Sequence, residues 1–592
     1  MSLQPPPIRP AISSARFALA SGLAALVALG CTGRISGSGA PGGASTGSSA
    51  GAPGGNAGAG TVGGAGSGAA GTASTTLAAP PTALAAASPC TSQSPGQRVL
   101  RRLTAPQFQS SLTDLFYGDT TLPTVTVFSD PLVLGFSADA GALLVQGLNA
   151  QQLADYSETV AHWAVMSHLP QLSSCTTTDA TCRQQFINAF GRRAFRAPVT
   201  ATQLTAYDAL FAAEASFSDG VEAVVTAMIQ SPYFLYRREL GAGTGATVTL
   251  TPYEVASSLS YLLTGSMPDE PLSSAADAGQ LATQQQLDQQ ASRLLQDPRA
   301  PDAVMAFMTG WLGLDRVGTV VKDTTVYMPS PTLTASMAGE TRAFLLDAST
   351  NNLPVSSLFT ANYSFFNQEL AQYYGIYPSD GTQLGASFSK VTLMPNQRDP
   401  GLLAQGSILT GYSDAAISSP VLRGKLVRIR LLCQNIPPPP ANVNTKLTPT
   451  TQAQTTRQHF VQHDQDATCA SCHHLMDPIG DGFEHYDEWG RWRDQENGIP
   501  IDATGTVVGG GAGGADVAFD GVTELSSFLA TNDAVKQCLV RYWAYFAYGS
   551  DSWPQDACTY DSINSGAGQY GLHDVLMAII HAPHFTQRDG GS

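Results

Sequence analysis

The chain has 592 residues, of which 43% are apolar and 13% are charged, so it is long enough for several domains with substantial cores. Its formal net charge is −16. This acidity argues against a nucleic-acid partner, because nucleic-acid-binding surfaces need clustered basic side chains.

The N-terminus has the features of an export signal. Arg9 and Arg16 supply positive charge, and the apolar run "FALASGLAALVAL" that follows is too short to span a bilayer comfortably. The run ends at "ALGC", which is typical of a bacterial lipobox, although Ala28 stands where Leu is usual. We therefore expect a lipoprotein signal peptide at residues 1–30 and a lipid on Cys31, which would anchor the protein to a membrane of the cell envelope. The alternative is an ordinary secretory signal that is cleaved nearby.

Residues 31–95 are low in complexity and rich in Gly, Ala and Ser. Such a composition has little to bury, so this segment is predicted to be a flexible tether. About 55 residues of such coil reach roughly 40 Å. No later run is long and apolar enough to be a transmembrane helix.

The chain has nine cysteines, and export permits disulfides. Setting aside Cys31 and the Cys-x-x-Cys pair leaves six, which allow 15 pairings. Short spacing favours Cys175–Cys182 and Cys538–Cys558. Elimination then pairs Cys90 with Cys433.

From about residue 98 the pattern is mostly helical. "RVLRRLTAPQFQSSLTDLF" has apolar residues near one face and Thr104 as an N-cap, and "TPYEVASSLSYLLTGSMPD" begins with a good helix start at Thr251. "GVEAVVTAMIQSPYFLYRREL" and "HDVLMAIIHAPHFTQR" share one design, which is a weak hint of a repeated helical unit. "VTLMP" and "IDATGTVV" are the candidate short strands. The prediction is a mainly α fold of several helical subdomains in series, with a single small hairpin.

The strongest motif is "CASCH", Cys469 to His473. In c-type haem attachment, two Cys thiols add to the haem vinyl groups, and the His directly after the second Cys ligates the iron. Cys469, Cys472 and His473 have this spacing, and the predicted export agrees with it. Three other interpretations are open: a Cys469–Cys472 disulfide, a redox dithiol, and a zinc site that adds histidines.

The flanking residues suit a haem crevice. Aromatic residues recur every three positions and are candidates to line a macrocycle, and Arg491 and Arg493 are candidates to bind haem propionates. A helix packing face with solvated charges is the alternative. The aromatic residues are Phe483, Tyr486, Trp489 and Trp492. An acidic set could suggest calcium but lacks EF-hand spacing; it consists of Asp477, Asp481, Glu484 and Asp487.

The sixth iron ligand is not obvious. Met476 lies on the same side of a helix as His473, so it can hardly reach the opposite face of a haem. His463 is the first candidate; His459, His485, Met394 and a residue of the C-terminal module are alternatives. An open sixth position would permit ligand binding or peroxidase-like chemistry.

At these residues the chain resembles the planctomycete-type cytochrome proteins, which are exported and built mostly of domains of unknown function. The resemblance rests on Arg457, His463, "CASCH", "MDPIG", "FEHYD" and "GRWR", and covers nearly everything after residue 95. It implies helical domains at 96–175, 176–245 and 246–380, a haem-motif domain at 395–505 and a C-terminal helical domain at 515–592. The family usually has an aromatic residue after Gly480 and Leu before Glu484, whereas this chain has Asp481 and Phe483.

The function expected from these observations is electron transfer through one covalent haem c in a lipid-anchored, extracytoplasmic protein with a separate redox partner protein. Whether the chain is itself an enzyme is open; it is a candidate oxidoreductase component. One alternative is a peroxidase- or oxygenase-like haem enzyme. Another is a haem-free surface lipoprotein that binds a polymer or a protein, with Cys469–Cys472 as a disulfide.

Overall fold

The computed structural model describes residues 93–591 except 125–126, 396, 437–452, 466 and 552–555, and it leaves out the side chains of 462–468. The predicted signal peptide, Cys31, Cys90 and almost all of the tether lie outside the described residues. All described residues belong to one compact unit. Among them, no helix is both long and apolar enough to cross a membrane.

The N-terminal part is helical and has a core of its own, which includes Leu112, Ile187 and Val224. Thr104 caps the first helix as predicted, because its hydroxyl accepts the backbone N–H of Gln107 while the Gln107 side chain accepts that of Thr104. The elements are β1 (Val99–Arg102), α1 (Ala105–Leu115), α2 (Gly147–Leu172), α3 (Ala180–Phe195), α4 (Ala201–Ala212), α5 (Phe217–Gln230), α6 (Pro232–Leu235) and β2 (Tyr236–Glu239).

The central part begins with a capping box at Thr251 and Glu254, as the sequence predicted. Its helices share one large core with the C-terminal part. The elements are β3 (Thr247–Thr249), α7 (Pro252–Thr264), α8 (Glu270–Asp277), α9 (Gln284–Leu294), α10 (Ala300–Leu312), α11 (Arg316–Thr319), α12 (Leu333–Thr350), α13 (Ser357–Thr360), β4 (Tyr363–Phe366), α14 (Gln368–Tyr374) and β5 (Ser389–Thr392).

The part that carries the Cys-x-x-Cys-His motif has shorter elements. A π-helix, Leu426–Leu431, continues directly from the α-helix before it. Short 3₁₀ turns lie at Leu402–Ala404, Asp481–Phe483 and Ala512–Gly514. The other elements are α15 (Gly406–Gly411), α16 (Pro420–Lys425), α17 (Thr456–Gln465), α18 (Ala467–Gly480), β6 (Gln495–Glu496), β7 (Ile499–Pro500), β8 (Thr504–Val507) and β9 (Val517–Asp520).

The C-terminal part packs its helices onto the shared core, in which the α20 residues Leu539 and Tyr545 are fully buried. The elements are α19 (Gly521–Thr531), α20 (Asp533–Tyr548), α21 (Ala557–Gly566), α22 (Leu572–His581), α23 (Pro583–Thr586) and β10 (Gln587–Asp589). The prediction of a mainly α protein is confirmed.

The expectation of a single small hairpin is wrong. The described strands form five two-stranded antiparallel sheets. Three join neighbouring segments: β4 with β5, β6 with β7, and β8 with β9. The other two, β1–β2 and β3–β10, pair strands of three or four residues that are far apart in the chain. Such short strands carry little periodicity, so the sequence pattern did not indicate them.

The similarity between the two quoted helical segments corresponds to a shared local structure. In both, a helix ends at an extended residue, Ser231 or Ala582, and a proline then opens a short turn that leads into a strand. Arg237 of β2 and Arg588 of β10 both form an ion pair with the buried carboxylate of Glu239. Each of the two segments therefore contributes one arginine to the same buried carboxylate, where the N- and C-terminal parts meet.

The disulfides agree with the predicted pairing in one case. Cys175–Cys182 is formed, as short spacing suggested. Cys433 pairs with Cys538, so the predicted pairs Cys538–Cys558 and Cys90–Cys433 are wrong. The physical reason is that the end of the π-helix packs on α20, which brings together cysteines that are 105 residues apart.

Candidate functional site

The predicted haem-attachment residues all lie on α18. Cys469 and Cys472 are partly exposed thiols that are not joined in a disulfide. Residues three and four apart on a helix lie on the same side, so Cys469, Cys472 and His473 share one side of α18. The helix thus presents two thiols and an imidazole together.

Asp477 orients the imidazole of His473. The Nδ1 atom of His473 lies 2.9 Å from the Oδ2 atom of Asp477, one turn further along the helix. A carboxylate only accepts hydrogen bonds, so Nδ1 is the protonated nitrogen and Nε2 carries the lone pair. The carboxylate is buried and the imidazole is about one-fifth exposed. This is how proteins orient a metal-binding imidazole through a neighbouring carboxylate.

Two glycines let α16 approach α18 very closely. A Cβ atom added to Gly424 would overlap the carbonyl oxygen of Met476, and one added to Gly480 would overlap that of Pro420. The two helices therefore touch backbone to backbone on the side of α18 that carries Met476. Met476 is buried in this contact.

Two fully buried arginines fasten the motif to the π-helix region. Arg428 donates from Nε to the carbonyl oxygen of Leu475 in α18 at 2.7 Å and also binds the carbonyl of Val508. Arg423 donates to the carbonyls of Phe483 and Asp487 in the loop after α18, among others. Burial lowers the pKa of each arginine to about 10, which leaves both charged at neutral pH.

Glu484 balances the charge of Arg423 inside the protein. Its Oε2 atom accepts hydrogen bonds from Ser418 and from Arg493 at 2.9 Å, and its Oε1 atom lies 3.9 Å from Arg423. Burial raises the pKa of Glu484, and the charges of Arg423 and Arg493 oppose that rise. Glu484 therefore belongs to the internal support of the motif rather than to its exposed face.

Arg491 and Arg493, the predicted propionate partners, are already bound to carboxylates of this chain. The Nε atom of Arg491 donates to Asp487 at 2.7 Å. Arg493 forms ion pairs with Glu484 and, at 2.8 Å, with Glu496. A propionate at either arginine would have to share it with these partners.

Most of the predicted crevice aromatics are core residues. Phe483, Tyr486 and Trp489 are at most 3% exposed, which is the packing alternative considered for them. Trp492 is half exposed and stacks on the ring of His485 at a centroid distance of 4.4 Å. Among the four aromatic residues, Trp492 is thus the one with a substantially accessible ring.

The candidate sixth ligands that the structure describes differ in their surroundings. The side chain of His463 lies outside the described residues. His485 is about 2.9 Å from the carbonyl oxygen of Arg493 through Nδ1, and Met394 is 40% exposed. Within the part of the chain that the structure describes, no group of three or more His, Cys, Asp and Glu side chains is arranged to hold a metal ion.

A cavity of about 590 Å³ lies beside the C-terminal half of α18. Its wall is formed by α17, α18, β8, β9 and the start of α19. Asp477, the carboxylate that holds His473, contributes to this wall. The cavity thus adjoins the motif.

Sequence reasoning did not single out three residues that build the site: Asp477 as the partner of His473, and the buried Arg423 and Arg428. The sequence nevertheless contains features that point to these residues. The four-residue spacing from His473 to Asp477 places both on one helix face. The arginines within the apolar run "VLRGKLVRIRLL", among them Arg423 and Arg428, also indicate buried charges that need partners.

Five domain families of unknown function match the chain in succession. They are DUF1587 at residues 101–166, DUF1595 at 182–239, DUF1592 at 250–376, DUF1588 at 399–496 and DUF1585 at 516–585. Since the five matches follow one another from residue 101 to residue 585, the chain is a multidomain protein built of domains of unknown function. The motif helix α18 falls within the DUF1588 match. No curated protein and no solved structure shows a significant match to the chain.

Proposed function

We propose that this multidomain cytochrome-type chain is an extracytoplasmic protein that carries one covalently attached haem c and transfers electrons to a partner protein. The observation that carries the proposal is the hydrogen bond from Nδ1 of His473 to Asp477, which fixes the imidazole on the side of α18 that also carries two cysteines outside any disulfide. The donor set therefore fits a c-type haem.

Each residue has a definite role in this proposal. Cys469 and Cys472 anchor the group through thioether bonds, and His473 supplies the fifth ligand. Asp477 keeps the proton on Nδ1 of His473. When bound, the haem supplies one-electron redox chemistry. The proposed exit route from the cytoplasm is the lipoprotein signal, with Cys31 as the lipid anchor.

Covalent attachment is tested by the pyridine haemochrome spectrum of protein that is exported together with a haem-attachment system. We expect one haem per chain and its complete loss in the Cys469→Ser/Cys472→Ser variant. The matched control is Cys175→Ser/Cys182→Ser, which removes two cysteines from a remote disulfide and should keep the haem. Wild-type protein without covalent haem would refute the proposal.

The lipid anchor is tested by cell fractionation. Wild-type protein should sediment with membranes, and the Cys31→Ser variant should not be lipidated. Unchanged incorporation of labelled fatty acid into Cys31→Ser would show that the lipid is attached elsewhere, and wild-type protein without label would show that there is no lipid anchor.

A further inference from the structure

The cavity beside α18 has an apolar wall. Its apolar surface comes from Val461, Pro478 and Ala518 and from the small exposed parts of two rings, Phe460 and Phe519, which are 6% and 5% exposed. The volume of about 590 Å³ is within the range of roughly 300–1,000 Å³ that is usual for small-molecule sites. A compact ligand with an apolar body would fit.

The charges around this cavity are mostly negative. Four carboxylates line it, those of Asp477, Asp481, Asp520 and Glu524, together with one guanidinium, that of Arg457. Arg457 is occupied, because it donates to two backbone carbonyls and its Nε lies 3.5 Å from Asp481. The remaining carboxylates leave an excess of negative charge, and a concave wall focuses such a field on the ligand.

This charge pattern distinguishes between possible ligands. An anion, including the carboxylated edge of a haem, would meet repulsion there. A cation would be attracted by the carboxylates of Asp520 and Glu524, which lie on the exposed rim.

We propose that the cavity is a binding site for a small organic ammonium compound with an aromatic or branched apolar body. The ammonium group lies at the rim beside Asp520 and Glu524, and the apolar body lies against the phenyl rings. Cys469, Cys472 and His473 do not line the cavity, so this site does not include the haem-attachment residues themselves, although Asp477, which holds His473, is part of its wall.

Isothermal titration calorimetry at low ionic strength tests the proposal with three probes of similar size: phenethylamine, 2-phenylethanol and phenylacetate. We expect phenethylamine to bind at least about tenfold more tightly than the neutral alcohol, and phenylacetate not to bind. Higher salt should weaken the binding of the amine, because the rim carboxylates are exposed to solvent.

The decisive variant is Asp520→Asn/Glu524→Gln, which keeps hydrogen-bond acceptors but removes two charges. It should weaken phenethylamine about tenfold and leave 2-phenylethanol unchanged. The matched control, Glu270→Gln/Asp302→Asn, removes two charges from carboxylates that are 72% and 77% exposed and that do not line the cavity. It should bind like the wild type.

Three results would overturn the proposal: equal affinity for amine and alcohol, an unaffected Asp520→Asn/Glu524→Gln variant, or an equal loss in the control. The same titration on Cys469→Ser/Cys472→Ser should give wild-type affinity. Amine binding without haem would leave this site intact while refuting the proposed function. Covalent haem without amine binding would leave the proposed function intact and refute the amine site.

Discussion

The close contact between α16 and α18 predicts that Gly480→Ala is strongly destabilising. The added methyl group would overlap the carbonyl oxygen, the carbonyl carbon and the Cα of Pro420, all far inside the 3.0 Å that real Cβ contacts essentially never go below. These are backbone atoms, so no side-chain rotation can relieve the overlap. The helices would have to separate, and that would also disturb the neighbouring contact of Gly424 with Met476.

The expected size of the effect follows from the kind of contact. Extra methyl groups in packed interiors cost roughly 1–3 kcal/mol and sometimes more, and an unyielding backbone contact belongs at the upper end. We expect a loss of about 3 kcal/mol in the free energy of unfolding. If the body of roughly 500 residues unfolds as one unit, this corresponds to a melting temperature that is about 3 °C lower.

Urea unfolding followed by circular dichroism measures this change. The matched control is Gly318→Ala in α11, where an added Cβ has no heavy atom within 4 Å. A helical Gly-to-Ala change at an open position should be neutral or stabilise by up to about 1 kcal/mol. If Gly480→Ala were as stable as Gly318→Ala, the backbone contact on which the support of α18 rests would be refuted.

Three further predictions concern the redox site, a buried acid and a disulfide. Asp477→Asn removes the negative charge that Nδ1–H of His473 faces and makes the imidazole a weaker electron donor, so potentiometry of the haem-loaded protein should give a midpoint potential higher by roughly 50 mV, close to the 59 mV that equal a tenfold change for one electron; an unchanged potential would contradict this role. Burial raises the pKa of Glu340 from 4.5 to about 7, so the folded state retains a proton that the unfolded chain releases. Stability should therefore fall by about 3 kcal/mol as the pH rises from 4.5 to 7, and in Glu340→Gln this contribution should be absent; an identical slope in both proteins would refute it. Replacing both Cys433 and Cys538 with Ser opens a link across 105 residues and should cost up to roughly 4–5 kcal/mol in urea unfolding, whereas no loss would show that the packing alone holds the two segments.

The sequence predicted what depends on local chemistry. The helix starts at Thr104 and Thr251, the mainly α class and the Cys175–Cys182 bridge all follow from interactions within a few residues. The Cys433–Cys538 pair does not, because only the packing of the π-helix on α20 brings these cysteines together.

The same distinction applies to the candidate site. The spacing of Cys469, Cys472 and His473 is visible directly in the sequence, and their position on one side of a helix follows from it. The burial of Tyr486 and Trp489 could not be read from a three-residue spacing, because a crevice wall and a packing face have the same pattern. Only the neighbouring helices decide between them.

Hydrogen bonds between the motif segment and earlier parts of the chain help to explain why the protein is so much larger than a cytochrome domain. A cytochrome domain needs far fewer residues than this chain has. Yet three consecutive backbone carbonyls after the motif loop, those of residues 488–490, accept hydrogen bonds from Lys322, Tyr373 and Arg398 at 2.9, 3.0 and 3.1 Å. All three donors belong to the part of the chain before the motif. Buried carbonyls without such donors would be costly, so the motif segment depends on the central helices to fold. Much of the large helical body is therefore the structural partner of the motif, and its size alone does not require a second activity.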